Sequence, residues 1–153
     1  MCMDITDPMT GEFLVRIFLS VALGALVGFE REVARKPAGI RTHVFVCMGA
    51  CLFTLSSFYF IPEGLVSGET SSTADLTRIA AGIVTGIGFI GAGSIIATRS
   101  HVKGLTTAAS LWVVSSIGLL VGLGGYLLSI VAAIISFVLL RLGKVEKELE
   151  EKK

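Results

Sequence analysis

The chain has 153 residues, 53% of them hydrophobic and only 16% charged, with a formal net charge of +1. Such a balance gives no basic field for a nucleic acid, and too few charges, too unevenly spread, to coat a water-soluble domain. No charge occurs from Val44 to Pro62 or from Leu105 to Leu140, which makes the chain an all-α integral membrane protein with the lipid bilayer as its first partner.

The segment 1–12 is acidic and lacks the basic region of a cleavable signal peptide. It is expected to be external. A membrane domain over 13–140 then takes five transmembrane helices, at about 13–29, 44–61, 79–98, 105–123 and 126–140. Helices four and five are parted only by Gly124-Gly125, but one fused helix of about 36 residues would be too long for a bilayer of about 30 Å. The segment 141–153 is a charged cytoplasmic tail with Lys144/Glu148 and Lys147/Glu151 at helical spacing. Placing the N-terminus outside and the C-terminus in the cytoplasm puts eleven of the 13 basic residues inside, and Arg16 and Arg78 near the outer ends of helices one and three.

Within the spans, glycine is the informative residue. Gly24/Gly28, Gly82/Gly86 and Gly118/Gly122 are spaced by four, and in lipid, where apolar helices have no hydrophobic reason to associate, such pairs let backbones approach closely. Gly24, Gly28, Gly82, Gly86, Gly91 and Gly93 are therefore expected to pack helices. The run Gly86-Ile-Gly-Phe-Ile-Gly-Ala-Gly93 contains a G-x-G-x-x-G pattern. It lacks the strand before it and the acidic residue about 20 positions later that a dinucleotide site requires. Gly28 and Gly93, Gly39 and Gly104, and Thr42 and Thr107 are each 65 apart, which suggests two hairpins related as a parallel repeat.

The polar residues at membrane depth are few. Arg16 either snorkels to the outer headgroups or has an interior partner, and Arg78 occupies a similar depth. At the inner interface, Glu30, Arg31, Arg41, Thr42, Thr106, Thr107 and Ser110 form the candidate polar site, for an ion or a protein partner, or else a salt-bridge network that staples the loop. Cys47 and Cys51 are read as small apolar fillers. His43 and His101 are read as ordinary interfacial histidines, and no metal site is expected. No nucleophile–base pair is visible, so the chain is expected not to be an enzyme.

Three blocks of the sequence carry a resemblance. They are Gly24-Ala-Leu-Val-Gly-Phe-Glu-Arg-Glu32 followed by Pro37-Ala-Gly-Ile-Arg-Thr-His43; Arg78-Ile-Ala-Ala-Gly82 with Gly86 to Ile96; and Val102-Lys-Gly-Leu-Thr-Thr-Ala-Ala-Ser-Leu-Trp112. In this order they resemble the MgtC/SapB family of bacterial and archaeal membrane proteins, over roughly residues 13–140. The resemblance implies a five-helix, multi-pass module of the cytoplasmic (inner) membrane, tied to growth under magnesium limitation. In pathogens the family is linked to survival inside macrophages, and one branch restrains the F-type ATP synthase.

The family's signature polar residues fall on Glu30, Arg31, Arg41, Thr42 and Thr106. Thr106 stands where the virulence branch has an Asn, and that branch's soluble C-terminal domain of the ACT type is expected to be absent here. The resemblance implies regulation of another membrane protein. The alternative is a small Mg²⁺ or other cation transporter or channel with its site at the inner ends of helices one and four. No cofactor is evident beyond this magnesium linkage, and a homodimer is expected.

Overall fold

The computed structural model describes the backbone of residues 8–58 and 71–150, and side chains over 10–58 and 77–143. The first acidic residues with Cys2, Glu63 and Glu69, the side chains of Asp75, Lys144, Lys147 and Glu148, and Glu151 lie outside the described residues. Five helices follow in order: α1 (Pro8–Val33), α2 (Ile40–Ser57), α3 (Ser71–Gly93), α4 (Leu105–Gly122) and α5 (Tyr126–Glu150). A two-residue hairpin, β1 (Ile96–Ala97) with antiparallel β2 (Val102–Lys103), separates α3 from α4. Four helices are long and apolar enough to cross a membrane, over Thr10–Val33, Ile40–Ser57, Leu105–Gly122 and Tyr126–Gly143; the shorter apolar part of α3 is Thr77–Gly93. The chain is an all-α membrane protein.

The helix ends differ from expectation for local reasons. α1 stops in a Schellman cap: Lys36 N–H donates to the Arg31 carbonyl at 2.9 Å and Arg35 N–H to that of Glu32 at 3.0 Å. Arg35 takes the left-handed conformation, φ 52°, and Pro37 then prevents the helix from resuming. α2 begins at Ile40 rather than 44, because charged residues at the boundary do not stop a helix. Its Gly39 N-cap offers no side chain, and the Glu32 carboxylate accepts the Ile40 N–H instead, at 2.9 Å. α3 ends at Gly93, not 98, since Gly91 and Gly93 weaken the helix and the apolar Ile95-Ile96 turns into the hairpin. At the other side of the bundle, Gly124 (φ 84°) makes a second Schellman cap, with Gly125 N–H donating to the Leu120 carbonyl at 2.8 Å. Helices α4 and α5 are thus separate.

The core forms around α2, which lies between α1 and α4. A Cβ on Gly24 would come within 2.9 Å of the His43 carbonyl oxygen, and one on Gly28 within 2.7 Å of Ile40 Cα. On the opposite side a Cβ on Gly118 would land on the Cys47 carbonyl, and one on Gly122 would come 2.6 Å from Thr54 Cβ. Around these contacts sit Leu23, Val27, Cys47, Cys51, Leu55, Val114, Ile117 and Val121, all buried. Both cysteines are free thiols within this core.

The glycines of α3 do not follow this pattern. No described atom lies within 4 Å of a Cβ built on Gly82, Gly86 or Gly93, and Gly91 makes only ordinary contact with Ala108, at 3.7 Å. Their expected packing role within the chain is therefore corrected: α3 presents Gly82, Gly86 and Gly93 outward, and Ile87 and Gly91 inward. The 65-residue spacing persists in part of the fold. Helices α2 and α4 have 18 residues each, and both their starts and their ends are 65 apart. The helices that precede them end 60 apart, at Val33 and Gly93, and only α1 packs through its glycines.

These contacts predict opposite outcomes for two similar changes. Gly118→Val should cost at least about 2 kcal/mol through overpacking against the α2 backbone. Gly86→Ala should leave the monomer unharmed or stabilise it by up to about 1 kcal/mol through helix propensity. Unfolding midpoints in detergent would check both.

Candidate functional site

At the inner end of the bundle, helix periodicity sorts the candidate residues. The buried stripe of α2 runs through His43, Cys47, Ala50, Cys51 and Thr54, and that of α4 through Thr107, Ser110, Leu111 and Val114. Thr107 and Ser110 are therefore inside. Arg41 is two residues from His43, on the opposite side of α2, and is exposed. Thr106 is one residue off the α4 stripe and is also exposed, while Thr42 is half-buried. The expected polar site shared by Glu30, Arg41 and the hydroxyls is corrected accordingly: Arg41 and Thr106 lie on its outside.

Glu30 and Arg31 are each 4% exposed. Arg31 Nε donates to Glu30 Oε2 at 2.5 Å, and its Nη2 makes an ion pair with the same oxygen. Nη2 also reaches the Leu140 carbonyl at 3.5 Å, which ties α5 to the end of α1. The second carboxylate oxygen, Glu30 Oε1, is buried without a hydrogen-bond partner among the described residues. A buried carboxylate oxygen left without a partner is costly. Chemically it can accept from a donor, take a proton or meet a cation.

His43 is wholly buried. Its Nδ1 lies 2.9 Å from the Gly39 carbonyl, which can only accept, so Nδ1 carries a proton. Nε2 lies 3.1 Å from Ser110 Oγ, and that hydroxyl is also 2.8 Å from the Thr107 carbonyl. A neutral ring accepts the Ser110 hydroxyl. A charged ring donates to Ser110, which then donates to Thr107. The geometry serves both, and it links α2 to α4 beside the Glu30–Arg31 pair. His43 is thus no ordinary interfacial histidine, and the spacing of four to Cys47 and again to Cys51 was the signal of its burial. Glu32, one of the charges clustered at this interface, has a specific role as the cap of α2, which depends on the loop folding back. The other histidine, His101, is exposed, with Nδ1 2.8 Å from Ser100 Oγ.

The outer end has its own cluster. Arg16 Nη1 donates to the Gly122 carbonyl at 2.5 Å, one of the free carbonyls at the end of α4, and Nε donates to the Tyr126 hydroxyl at 3.2 Å. Nη2 pairs with Glu12 at 2.5 Å, and the guanidinium lies 5.8 Å and 5.9 Å from the ring centres of Phe13 and Phe58. Arg16 therefore has the interior role rather than the snorkelling one: it fastens the α4–α5 turn to α1. Arg78 is exposed at its site on α3, which corrects its reading as a buried charge. Among the described residues no group of three His, Cys, Asp or Glu is placed to hold a metal ion.

The comparisons with known proteins agree on one lineage. A family model described as the MgtC family matches residues 17–149. The chain is similar to "Putative magnesium transporter YhiD" of Escherichia coli, 41% identical over 132 residues, covering 86% of this chain and 60% of that protein. It is similar to "Protein MgtC" of Salmonella typhimurium, 42% identical over 123 residues, covering 80% of this chain and 48% of that one. "Protein MgtC" of Brucella abortus is 46% identical over 102 residues, covering 67% of this chain and 39% of the relative. The chain therefore spans about half the length of these relatives, from 39% to 60%. No solved structure matches.

The buried ion pair generates a prediction. Arg31→Ala should destabilise the protein by about 3–5 kcal/mol, because Glu30 is left as an uncompensated buried charge. The double change Glu30→Gln with Arg31→Met should cost clearly less. A loss in the double variant equal to the sum of the losses in Glu30→Gln and Arg31→Met alone, in a double-mutant cycle of unfolding in detergent, would mean that the two side chains are not coupled.

Proposed function

Because the chain belongs to the MgtC family, we propose that it is a magnesium-related protein of the cytoplasmic membrane that acts by binding and regulating another membrane protein. The observation that carries this reading is the open glycine face of α3. The described helices carry three glycine pairs spaced by four; Gly24/Gly28 and Gly118/Gly122 each hold α2, whereas a Cβ on Gly82 or Gly86 would meet no neighbouring atom within 4 Å among the described residues. Glycine costs a helix about 1 kcal/mol relative to alanine, and on α3 no packing within the chain offsets that cost. A helix of another protein, or of a second copy in a homodimer, laid on this face would offset it. In this reading the protein works by contact, without catalysis, and supports adaptation to magnesium limitation or a related stress.

A transport function is the second reading, favoured by the orphaned Glu30 Oε1 at the inner ends of α1 and α4 and by the name of the Escherichia coli relative. Against it, the other Glu30 oxygen is engaged by Arg31. A guanidinium beside the site opposes a divalent cation, and Mg²⁺ demands near-octahedral oxygen ligation.

Two measurements separate the readings. Gly82→Leu with Gly86→Leu should keep the monomer's melting behaviour, abolish copurification of the partner helix protein, and abolish support of growth in low magnesium. Growth support unchanged by these substitutions would remove the α3 face from the function. In sealed proteoliposomes the purified chain should give no Mg²⁺ flux above empty vesicles. Saturable flux, lost in Glu30→Ala, would establish transport instead.

A further inference from the structure

The hairpin between α3 and α4 differs from the rest of the inner face in how its charges are balanced. In the first inner loop two acidic residues accompany the four basic ones: Arg31 is paired with Glu30, and Glu32 caps α2, while Arg35, Lys36 and Arg41 make no ion pair among the described residues. In the second, Arg99 and Lys103 make no ion pair or hydrogen bond through their side chains among the described residues. Nor does the sequence offer a nearby acid, for no Asp or Glu occurs between Asp75 and Glu146. These two cations are therefore displayed without a counter-charge.

The display is built rather than loose. Thr98 N–H donates to the His101 carbonyl at 2.9 Å, the Thr98 hydroxyl donates to the same carbonyl at 3.0 Å, and His101 N–H donates to Thr98 Oγ1 at 3.3 Å. Gly104 then turns the chain into α4 with φ 92°, and a Cβ there would collide with the Ser94 carbonyl, so the hairpin is held against the end of α3. Its apolar residues are as exposed as its basic ones: Ile96 is 63% exposed, Val102 55% and Leu105 59%. Ile96 is the cross-strand partner of Lys103, and Ala97 that of Val102. Each face of the ribbon thus carries an apolar side chain, with Lys103 on one face and Arg99 in the turn.

Exposed aliphatic residues interleaved with unpaired cations, at the end of a membrane helix, suit one environment. The aliphatic groups enter the acyl boundary while the cations meet phosphate oxygens just above it. We propose that the β1–β2 hairpin is a binding site for anionic phospholipid headgroups of the leaflet on the basic side of the protein, with Arg99 and Lys103 as the phosphate contacts and Ile96, Val102 and Leu105 as the insertion. The proposal is independent of whether the protein regulates or transports.

The test uses the full chain in nanodiscs of phosphatidylcholine with a minority of phosphatidylglycerol, followed by native mass spectrometry of the lipids retained. The wild type should retain phosphatidylglycerol in preference. That preference should fall about fivefold for each basic residue removed in Arg99→Ser and Lys103→Ser. Ile96→Ser with Val102→Ser should weaken retention of the lipid without altering charge. Arg35→Ser with Lys36→Ser, which removes the same amount of charge from the first inner loop instead, should change it little. All these side chains are exposed, or lie in the loop 34–39, so melting in detergent should match the wild type and show that the variants are folded. Equal phosphatidylglycerol retention by the Arg99→Ser, Lys103→Ser double variant overturns the proposal. So does displacement of the retained lipid by inorganic phosphate alone, which would make the site one for a soluble anion.

Discussion

The structure depends on the approach of three backbones, with α2 held between α1 and α4. In a bilayer the lipid tails compete on equal terms with leucine, so a helix gains little from meeting another through large apolar side chains. Glycine changes that, because removal of the Cβ brings backbone atoms into direct van der Waals contact. Here the same device is used twice around one helix: Gly24 and Gly28 receive α2 from one side, Gly118 and Gly122 from the other. The small side chains of Cys47, Cys51 and Thr54 on α2 complete the fit.

This clamp explains where polar groups can be placed. Once the three backbones are close, the ends of the helices converge, and their unsatisfied groups come within reach of side chains from neighbours. At the outer end Arg16 on α1 takes up the Gly122 carbonyl of α4. At the inner end Arg31 of α1 reaches Leu140 of α5, while His43 of α2 joins Ser110 of α4. Each cluster crosses from one helix to another, so the polar network fixes the register that the glycines leave loose. Glu30 Oε1 is the exception: it is buried but serves no contact among the described residues. It marks the place where the network is open to something else.

The second hairpin is the counterpoint to the first. Helices α2 and α4 keep the same length and the same 65-residue frame, yet α3 does not pack as α1 does. The β1–β2 hairpin stands where the first helical hairpin has a short capped loop, and the glycines Gly82, Gly86 and Gly93 of α3 meet no neighbouring helix among the described residues. The same spacing in α2 and α4, with different packing of α1 and α3, leaves a glycine-clamped core and an open glycine face on α3 among the described residues.

Much of this was legible in the sequence. Charge-free stretches as long as a bilayer crossing, or longer, determined the membrane class, because a helix of that length satisfies its own backbone in lipid. The Gly124-Gly125 break and the family were legible for equally local reasons: a left-handed turn needs glycine, and the polar blocks stand in a specific order. What the sequence alone could not assign was direction. The spacing Gly82/Gly86 is the same as Gly24/Gly28, and nothing local states which of them has a helix beside it. Arg41 and Glu30 both look like inner-interface charges, but the phase of α2 against α1 turns Arg41 outward while Glu30 is enclosed. His43, Glu32 and Arg16 acquired their roles from partners 67, 8 and 106 residues away in sequence. Periodicity identifies which residues share a face, but only the packing of one helix on another decides which face is inside.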